Sequence, residues 1–534
     1  MSPTTLDAKY PRIAYFRGLL VLPVLILLAE FEACRAVRHA KAGSAGATSL
    51  GCSIHRASRR PYRKSPRIKC PRSTGSAATM ASRVDGYCSQ LADFAAQAMG
   101  DAATEVRGGL GAHAKEVAAD LDSLILQVRS RKPGDGLKWA DSSWAPAEAV
   151  RDKCWSQLSE GGGWPNVGWR EAYTFALMVQ ALIQIERSDA GLLGEGAGSL
   201  QEAVRCLDLV LIMAGAGAAV WVHTVMTDIE PLVFLWMRTG TATGNREEGG
   251  SSKGEGKGED DHFTIPCALP HAAGASLPTL KEDSAIPRVK GIKISDFKKK
   301  FFKADKSVII EGAIDDWPAR QRWCDLRYLR SNFGHRTVPV ELGKLDGARK
   351  LAGWKEEALL MRDFLDQHVI PSNQRCRSGE KQEEVAYLAQ HALFDQLPRL
   401  FEDLKVPEYT ECGELEGVNA WLGTSGTVTP LHHDSYDNLL TQVVGFKYVR
   451  LYEPKETKYL YVSKVSSGGI NAQGNISPID CERPDTAAYP LAADAAYTEA
   501  ILGPGMHTHT YSHAHPCTHT HTHAHPIPRP QVCC

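Results

Sequence analysis

Apolar positions recur at helical spacing through the first half of the chain and at strand spacing through the second. In WREAYTFALMVQALIQI (Trp169 to Ile185), Ala172, Phe175, Ala176, Val179, Leu182 and Ile183 follow an i, i+3, i+4, i+7 order, which predicts a helix with one buried face. SLQEAVRCLDLVLIMAGAGAAVWVHTVM (Ser199 to Met226) predicts a second, largely buried helix or helix pair, with Ser199 and Glu202 at capping-box spacing. Residues 84–239 therefore read as an α-helical domain, suited to packing or docking; no catalytic constellation stands out in it. Later the period shortens. SVIIEGAIDDWPA (Ser307 to Ala319), HRTVPVELG (His335 to Gly343), VNAWLG (Val418 to Gly423) and LLTQVVGFKYVRLYEP (Leu439 to Pro454) are short, β-branched and aromatic, and read as strands. Gly445-Phe446 marks a turn between two of them, and helical pieces such as MRDFLDQHVI (Met361 to Ile370) lie among them. The pattern predicts an α+β chain, helices first and then a barrel or jelly roll.

Three breaks divide the chain. TGTATGNREEGGSSKGEGKGEDDH (Thr239 to His262) has almost nothing to bury, which predicts a solvated linker and a boundary within residues 240–285. Residues 1–80 form a separate leader. GLLVLPVLILLA (Gly18 to Ala29) has the shape of a signal-peptide core, too short for a comfortable membrane span. The stretch from Ala33 to Val84 is acid-free and rich in Arg and Ser, as in a transit peptide or basic arm. Met80 offers an alternative start just before globular-looking sequence, so a mis-annotated leader is a further reading. The barrel-like pattern covers residues 286–505, and a His-rich, low-complexity tail follows at 506–534.

Composition narrows the classes. A net charge of -1 over 534 residues argues against a dominant nucleic-acid footprint. The 14 cysteines show no CxxC pair, which fits thiols in a reducing compartment, nuclear or cytoplasmic, better than a disulfide framework. Membrane association or an organellar form would rest on Gly18 to Ala29 and the basic leader alone.

The chemistry concentrates in TVTPLHHDSYDN (Thr427 to Asn438). If Leu431 to Asp434 is extended, His432 and Asp434 project to one side and His433 to the other. An imidazole and a carboxylate are two of the three groups of a 2-His-1-carboxylate metal site. Spacing alone also permits a polar turn. Thr429, Asn438 and Lys447 flank the pair. A buried Lys447 would need an anionic partner, and a dicarboxylate co-substrate would provide one; an exposed hairpin lysine is the alternative.

RTVPVELG (Arg336 to Gly343), AYLAQHALFDQLPRL (Ala386 to Leu400) and VNAWLGTSGTVTPLHHDSYDNLLTQVVGFKYVRLYEP (Val418 to Pro454) resemble the JmjC-domain oxygenases. CWSQL, WREAYTFAL and EAVRCLDLVLIMAGA resemble the helical domain of one branch of that family. The resemblance implies a double-stranded β-helix of cupin type that binds Fe(II) and 2-oxoglutarate. It implies His432 and Asp434 as metal ligands, and Tyr387, Thr429, Asn438 and Lys447 as the 2-oxoglutarate residues, with Thr429 standing where the family usually has Ser. Glu341, Gln390 and Trp421 fall at substrate-lining positions, where an acid and an aromatic face suit a cationic side chain. The implied activity is hydroxylation or demethylation of arginine or lysine side chains in a protein or peptide partner, histone or ribosomal, without direct nucleic-acid binding.

One part of the family pattern is absent. After AILGPG (Ala500 to Gly505) the family continues with apolar closing strands and a distal histidine, whereas this chain reads MHTHTYSHAHPCTHTHTHAHP. His515 lies near the expected distance, but beside Pro516. The tail reads as a His-rich metal-binding segment, a tail without function, or a (CA)n repeat translated from an intron. A catalytically inactive JmjC-like binding module lacking the distal metal-ligand histidine is the alternative to an enzyme.

Overall fold

The structure, a computed structural model, describes residues 83–93, 112–159, 167–189, 196–214, 216–240, 263–265, 278–345, 351–378, 380, 384–413, 415–433, 437–462, 476–510, 518–521 and 531–533. The expected leader at 1–80, the linker stretch 241–262 and Asp434 lie outside the described residues.

The helical half contains a stretch over 83–93 and then α1 (Ala112–Ser130), α2 (Gly136–Ser159), α3 (Val167–Asp189), α4 (Gly196–Ala214) and α5 (Ala216–Gly240). The periodic positions of Trp169 to Ile185 behave as predicted: Ala172, Phe175, Ala176, Val179, Leu182 and Ile183 are all buried in one core with Leu121, Leu158, Leu207 and Val222. Ser199 to Met226 resolves into a helix pair, α4 and α5. Ser199 does not cap a helix, because α4 begins at Gly196; Glu202 pairs with Arg205 at 2.9 Å instead. The described cysteines Cys88, Cys154, Cys206, Cys324, Cys376, Cys412 and Cys481 are free thiols.

The second half is built on strands β1 (Arg288–Lys290), β2 (Val308–Glu311), β3 (Thr337–Leu345), β4 (Leu351–Leu360), β5 (Glu384–His391), β6 (Gly417–Gly423), β7 (Asn438–Gln442), β8 (Lys447–Tyr452), β9 (Tyr497–Leu502), β10 (Met506–Thr510), β11 (Thr518–His521) and β12 (Gln531–Cys533). They form a nine-stranded sheet, β1-β2-β10-β7-β12-β6-β5-β3-β4, and a three-stranded sheet, β11-β8-β9. Gly445 adopts φ 72° in the predicted turn, a left-handed conformation that glycine takes without steric cost. That turn carries the chain from β7 in the large sheet to β8 in the small one, so it bends between sheets rather than closing a hairpin.

The two sheets enclose an apolar layer of Ile309, Leu440, Val449, Leu451, Ala500 and Leu502, with Trp421 and Met506 against it. The outer face of the large sheet buries Val338, Val340, Leu388 and Ala420 under the helical segments 326–333, 361–378 and 393–401. The segment 361–378, predicted as helix from Met361 to Ile370, widens into a π-turn at Leu365–Val369.

The sequence pattern predicts a break at Gly505, yet the chain continues without interruption into β10. This strand pairs antiparallel with β2 on one edge and β7 on the other. Thr-His alternation has the period of a strand, and threonine is β-branched, so the backbone ladder forms with Met506 as its only apolar side chain.

Candidate active site

Side chains two residues apart on a strand share a face, and directly paired residues on neighbouring strands share it too. Trp421 of β6 packs on the apolar layer between the sheets. Asn438 lies two residues before Leu440, and Lys447 two before Val449, so both belong to this interior face. Tyr387 of β5 pairs with Gly423, two residues after Trp421, and Glu341 of β3 pairs with Tyr387. The strand register therefore brings Glu341, Tyr387, Trp421, Asn438 and Lys447 to one face of the barrel. Asn438 is 1 % exposed and Tyr387 6 %, while Lys447, Glu341 and Trp421 are half-buried.

Gly423 is required by the position of Tyr387. A β-carbon there would lie 2.6 Å from Tyr387 Cδ2 and 2.8 Å from Thr427 Cγ2, well inside van der Waals contact. The missing side chain lets the tyrosine ring lie across β6.

Gln390 reaches the same region by a different device. Leu388 pairs with Leu422 but His391 with Ala420, so β5 holds one residue more than β6 over this interval. Gln390 takes φ 44° in the bulge, a left-handed conformation uncommon for a residue with a β-carbon. The bulge sets Ala389 and Gln390 opposite Trp421.

His432 is buried and forms an isolated bridge with Ile476. Its Nδ1 lies 2.8 Å from the Pro430 carbonyl oxygen. A carbonyl only accepts, so Nδ1 carries a proton, which in the neutral ring makes Nε2 the nitrogen that can ligate a metal. Thr429 is half-buried three residues upstream. His432 thus fits the role of a ligand. Among the described residues no group of three His, Cys, Asp or Glu side chains gathers to hold a metal ion, and Asp434 lies outside them.

The histidines of β10 do not complete such a group. His507 pairs with Thr441 and His509 with Leu439, which is the parity opposite to Leu440 and Asn438. Both side chains therefore point outward, away from the barrel interior. His507 Nδ1 meets Thr441 Oγ1 at 2.5 Å, and its ring stands edge-on to Trp317 at 6.1 Å. Burial in this layer pushes its pKa down to about 3. The His509 ring stands edge-on to Phe297 at 5.1 Å. His515 lies outside the described residues.

Pattern reading does not single out Glu356 of β4. It pairs directly with Glu341 and so joins the interior face. Burial, and then the neighbouring Glu341, push its pKa up to about 8. Only the register of β3 against β4 reveals this second acid; its segment, LAGWKEEALL, lacks the alternation that would announce a strand.

Known proteins bear on this arrangement. A family profile described as a cupin-like domain matches residues 294–506. Lysine-specific demethylase 8 of Danio rerio is 32% identical over 366 residues, which span 67% of this chain and 80% of the relative. Lysine-specific demethylase 8 of Xenopus tropicalis is 30% identical over 402 residues, 68% of this chain and 82% of the relative. JmjC domain-containing protein F of Dictyostelium discoideum is 39% identical over 254 residues, 40% of this chain and 54% of the relative.

Proposed function

The chain belongs to the JmjC-domain family of cupin-like proteins, and on that premise we propose that it is an Fe(II)- and 2-oxoglutarate-dependent oxygenase that hydroxylates or demethylates arginine or lysine side chains of proteins. The observation that carries this reading is that an acid, two aromatic rings, an amide and a lysine share the barrel interior, with a buried histidine, His432, on the segment that leads into β7.

In this reading His432 and Asp434 hold the metal. Lys447 pairs with the distal carboxylate of 2-oxoglutarate, and Tyr387, Thr429 and Asn438 donate hydrogen bonds to the same molecule. Fe(II) with 2-oxoglutarate and dioxygen supplies the oxidising power when bound, yielding succinate, carbon dioxide and an oxygenated substrate carbon. The protein's own residues do the rest. Lys447 fixes the orientation of the co-substrate by charge. Glu341, Gln390 and Trp421 hold a basic side chain of the protein or peptide substrate, and the apolar layer of Val449, Leu451 and Leu502 keeps water from that end of the barrel. If the carbon presented bears an N-methyl group, oxidation leads to demethylation; otherwise the hydroxyl is retained.

The test is succinate formation from a basic peptide that depends on both iron and 2-oxoglutarate. His432→Ala and Asp434→Ala should each abolish it, and Lys447→Ala should raise the 2-oxoglutarate requirement by at least ten-fold. A wild-type protein that binds both iron and 2-oxoglutarate yet forms no succinate would end the enzymatic reading.

A second reading is a non-catalytic binding module, favoured by the outward direction of His507 and His509 on the strand that follows Gly505. It predicts unchanged partner binding after His432→Ala and Asp434→Ala. A nuclear or cytoplasmic location belongs to both readings, and comparing tagged chains started at Met1 and at Met80 tests it.

A further inference from the structure

β3 and β4 run antiparallel with Glu341 directly opposite Glu356. Directly opposed residues have β-carbons about 5 Å apart, and like charges so placed destabilise a sheet. Glu356 Oε2 is sealed from solvent and has no hydrogen-bond partner among the described residues. The flanking Lys355 and Glu357 pair with each other, and Arg362 and Asp363, from the helix turn packed against β4, also pair with each other. Across β3, the next side chain on this face is Tyr387. A buried acceptor without a donor, beside a second carboxylate and an aromatic ring, is an arrangement that an incoming cation completes.

We propose that Glu356 is a specificity residue that forms, with Glu341, a two-carboxylate clamp for the cationic end of the substrate side chain. The proposal rests on the oxygenase reading, which supplies the pocket. A guanidinium matches the clamp, because its planar fork of five N–H donors can serve two carboxylates at once. Glu341 is the charged group that acts on Glu356 from the facing strand, and with burial it keeps the Glu356 carboxyl protonated in the free site up to about pH 8. An arriving cation favours the ionised form. Binding therefore releases a proton near neutral pH, and affinity rises as the pH climbs towards about 8.

The experiment is isothermal titration of the full chain with acetyl-Ala-Arg-Ala-amide and with its neutral citrulline analogue, in two buffers of different ionisation enthalpy. The arginine peptide should bind the wild-type protein with proton release. Glu356→Gln should weaken it about ten-fold, the scale of one charge-assisted hydrogen bond, and abolish the release while leaving the citrulline peptide unaffected. An unchanged affinity with unchanged proton release in Glu356→Gln would overturn the clamp. If Glu356→Gln lost both peptides, Glu356→Asp must restore the preference for arginine, and its failure to do so would also overturn it. Binding of 2-oxoglutarate with Mn(II), measured alongside, separates the two levels. Normal binding with a failed clamp leaves the oxygenase reading standing; no binding to either protein removes both.

Discussion

The Arg336 guanidinium and the Asp208 carboxylate meet inside the seam between the helices and the barrel, with Nη2 donating to Oδ1 at 2.6 Å and Nε lying 3.1 Å from both carboxylate oxygens. Asp208 also accepts from the Thr337 backbone N–H at 2.7 Å and from Gln396 Nε2 at 2.8 Å. Asp208 comes from α4 and Arg336 from the residue before β3, so one buried ion pair ties the two halves of the molecule. Asp208→Ala removes the carboxylate that takes most of the buried Arg336 donors, leaving Glu230 and the Gln396 carbonyl, and should cost about 3 kcal/mol. Urea denaturation followed separately by helical circular dichroism and by barrel tryptophans should show the two halves unfolding together in the wild type and apart in the variant.

Glu230 of α5 sits at the edge of the same network, 3.2 Å from Arg336 Nη1 and 2.8 Å from His335 Nε2. Burial alone would raise its pKa, but Arg336 and then His335 outweigh burial and hold it at about 2. A folded-state value below the unfolded one means that its contribution is fully present above about pH 4.5 and is lost as the pH falls through about 2. Glu230→Gln should lower stability at pH 7 by about 3 kcal/mol and shrink the acid limb of the stability curve. Thermal melts between those limits measure it.

Gly423→Ala should displace the Tyr387 ring, because the added methyl would lie 2.6 Å from Tyr387 Cδ2. Under the proposed function the loss falls on 2-oxoglutarate, with its affinity reduced about ten-fold, the order expected for one hydrogen bond to a charged group. Peptide affinity should change less. Titration with each ligand separately distinguishes the two effects.

His507 adds an acid limb to the stability curve that an unshifted surface histidine lacks. Its pKa falls from 6.5 to about 3 on folding, so the unfolded chain binds the extra proton first. Stability is complete above about pH 6.5 and declines as the pH drops towards about 3. His507→Val removes the titrating group while keeping a strand former. The difference in melting temperature between pH 8 and pH 5 should narrow, even if the lost contact to Thr441 lowers both values.

What the sequence made legible was set by periodicity. The buried stripe of α3 and the strands around Val338, Trp421 and Val449 follow from spacing, because each has a single face against one layer. The resemblance supplied the candidate site residues, and the strand register places Glu341, Tyr387 and Trp421 on one face. Other features depend on partners distant in the chain. Asp208 reads as one polar position on an apolar helix; its role appears only when Arg336, 128 residues away, folds onto it. Glu356 gains meaning only through the β3–β4 register. The fate of a threonine–histidine alternation was equally hidden: strand pairing needs backbone geometry, and His507 to Thr510 supplies that geometry, with Met506 the strand's one contact to the apolar layer.

That last strand has a consequence for assembly. β10 is sewn along both edges by main-chain bonds, yet two of its side chains are imidazoles pressed into an aromatic layer. The ladder recognises an extended chain and its parity, not the identity of the side chains. The berth between β2 and β7 therefore selects strand geometry rather than histidine. A five-residue segment of the same direction, carrying valine where His507 and His509 now sit, would make the same ladder and bury an apolar side chain where each imidazole now lies.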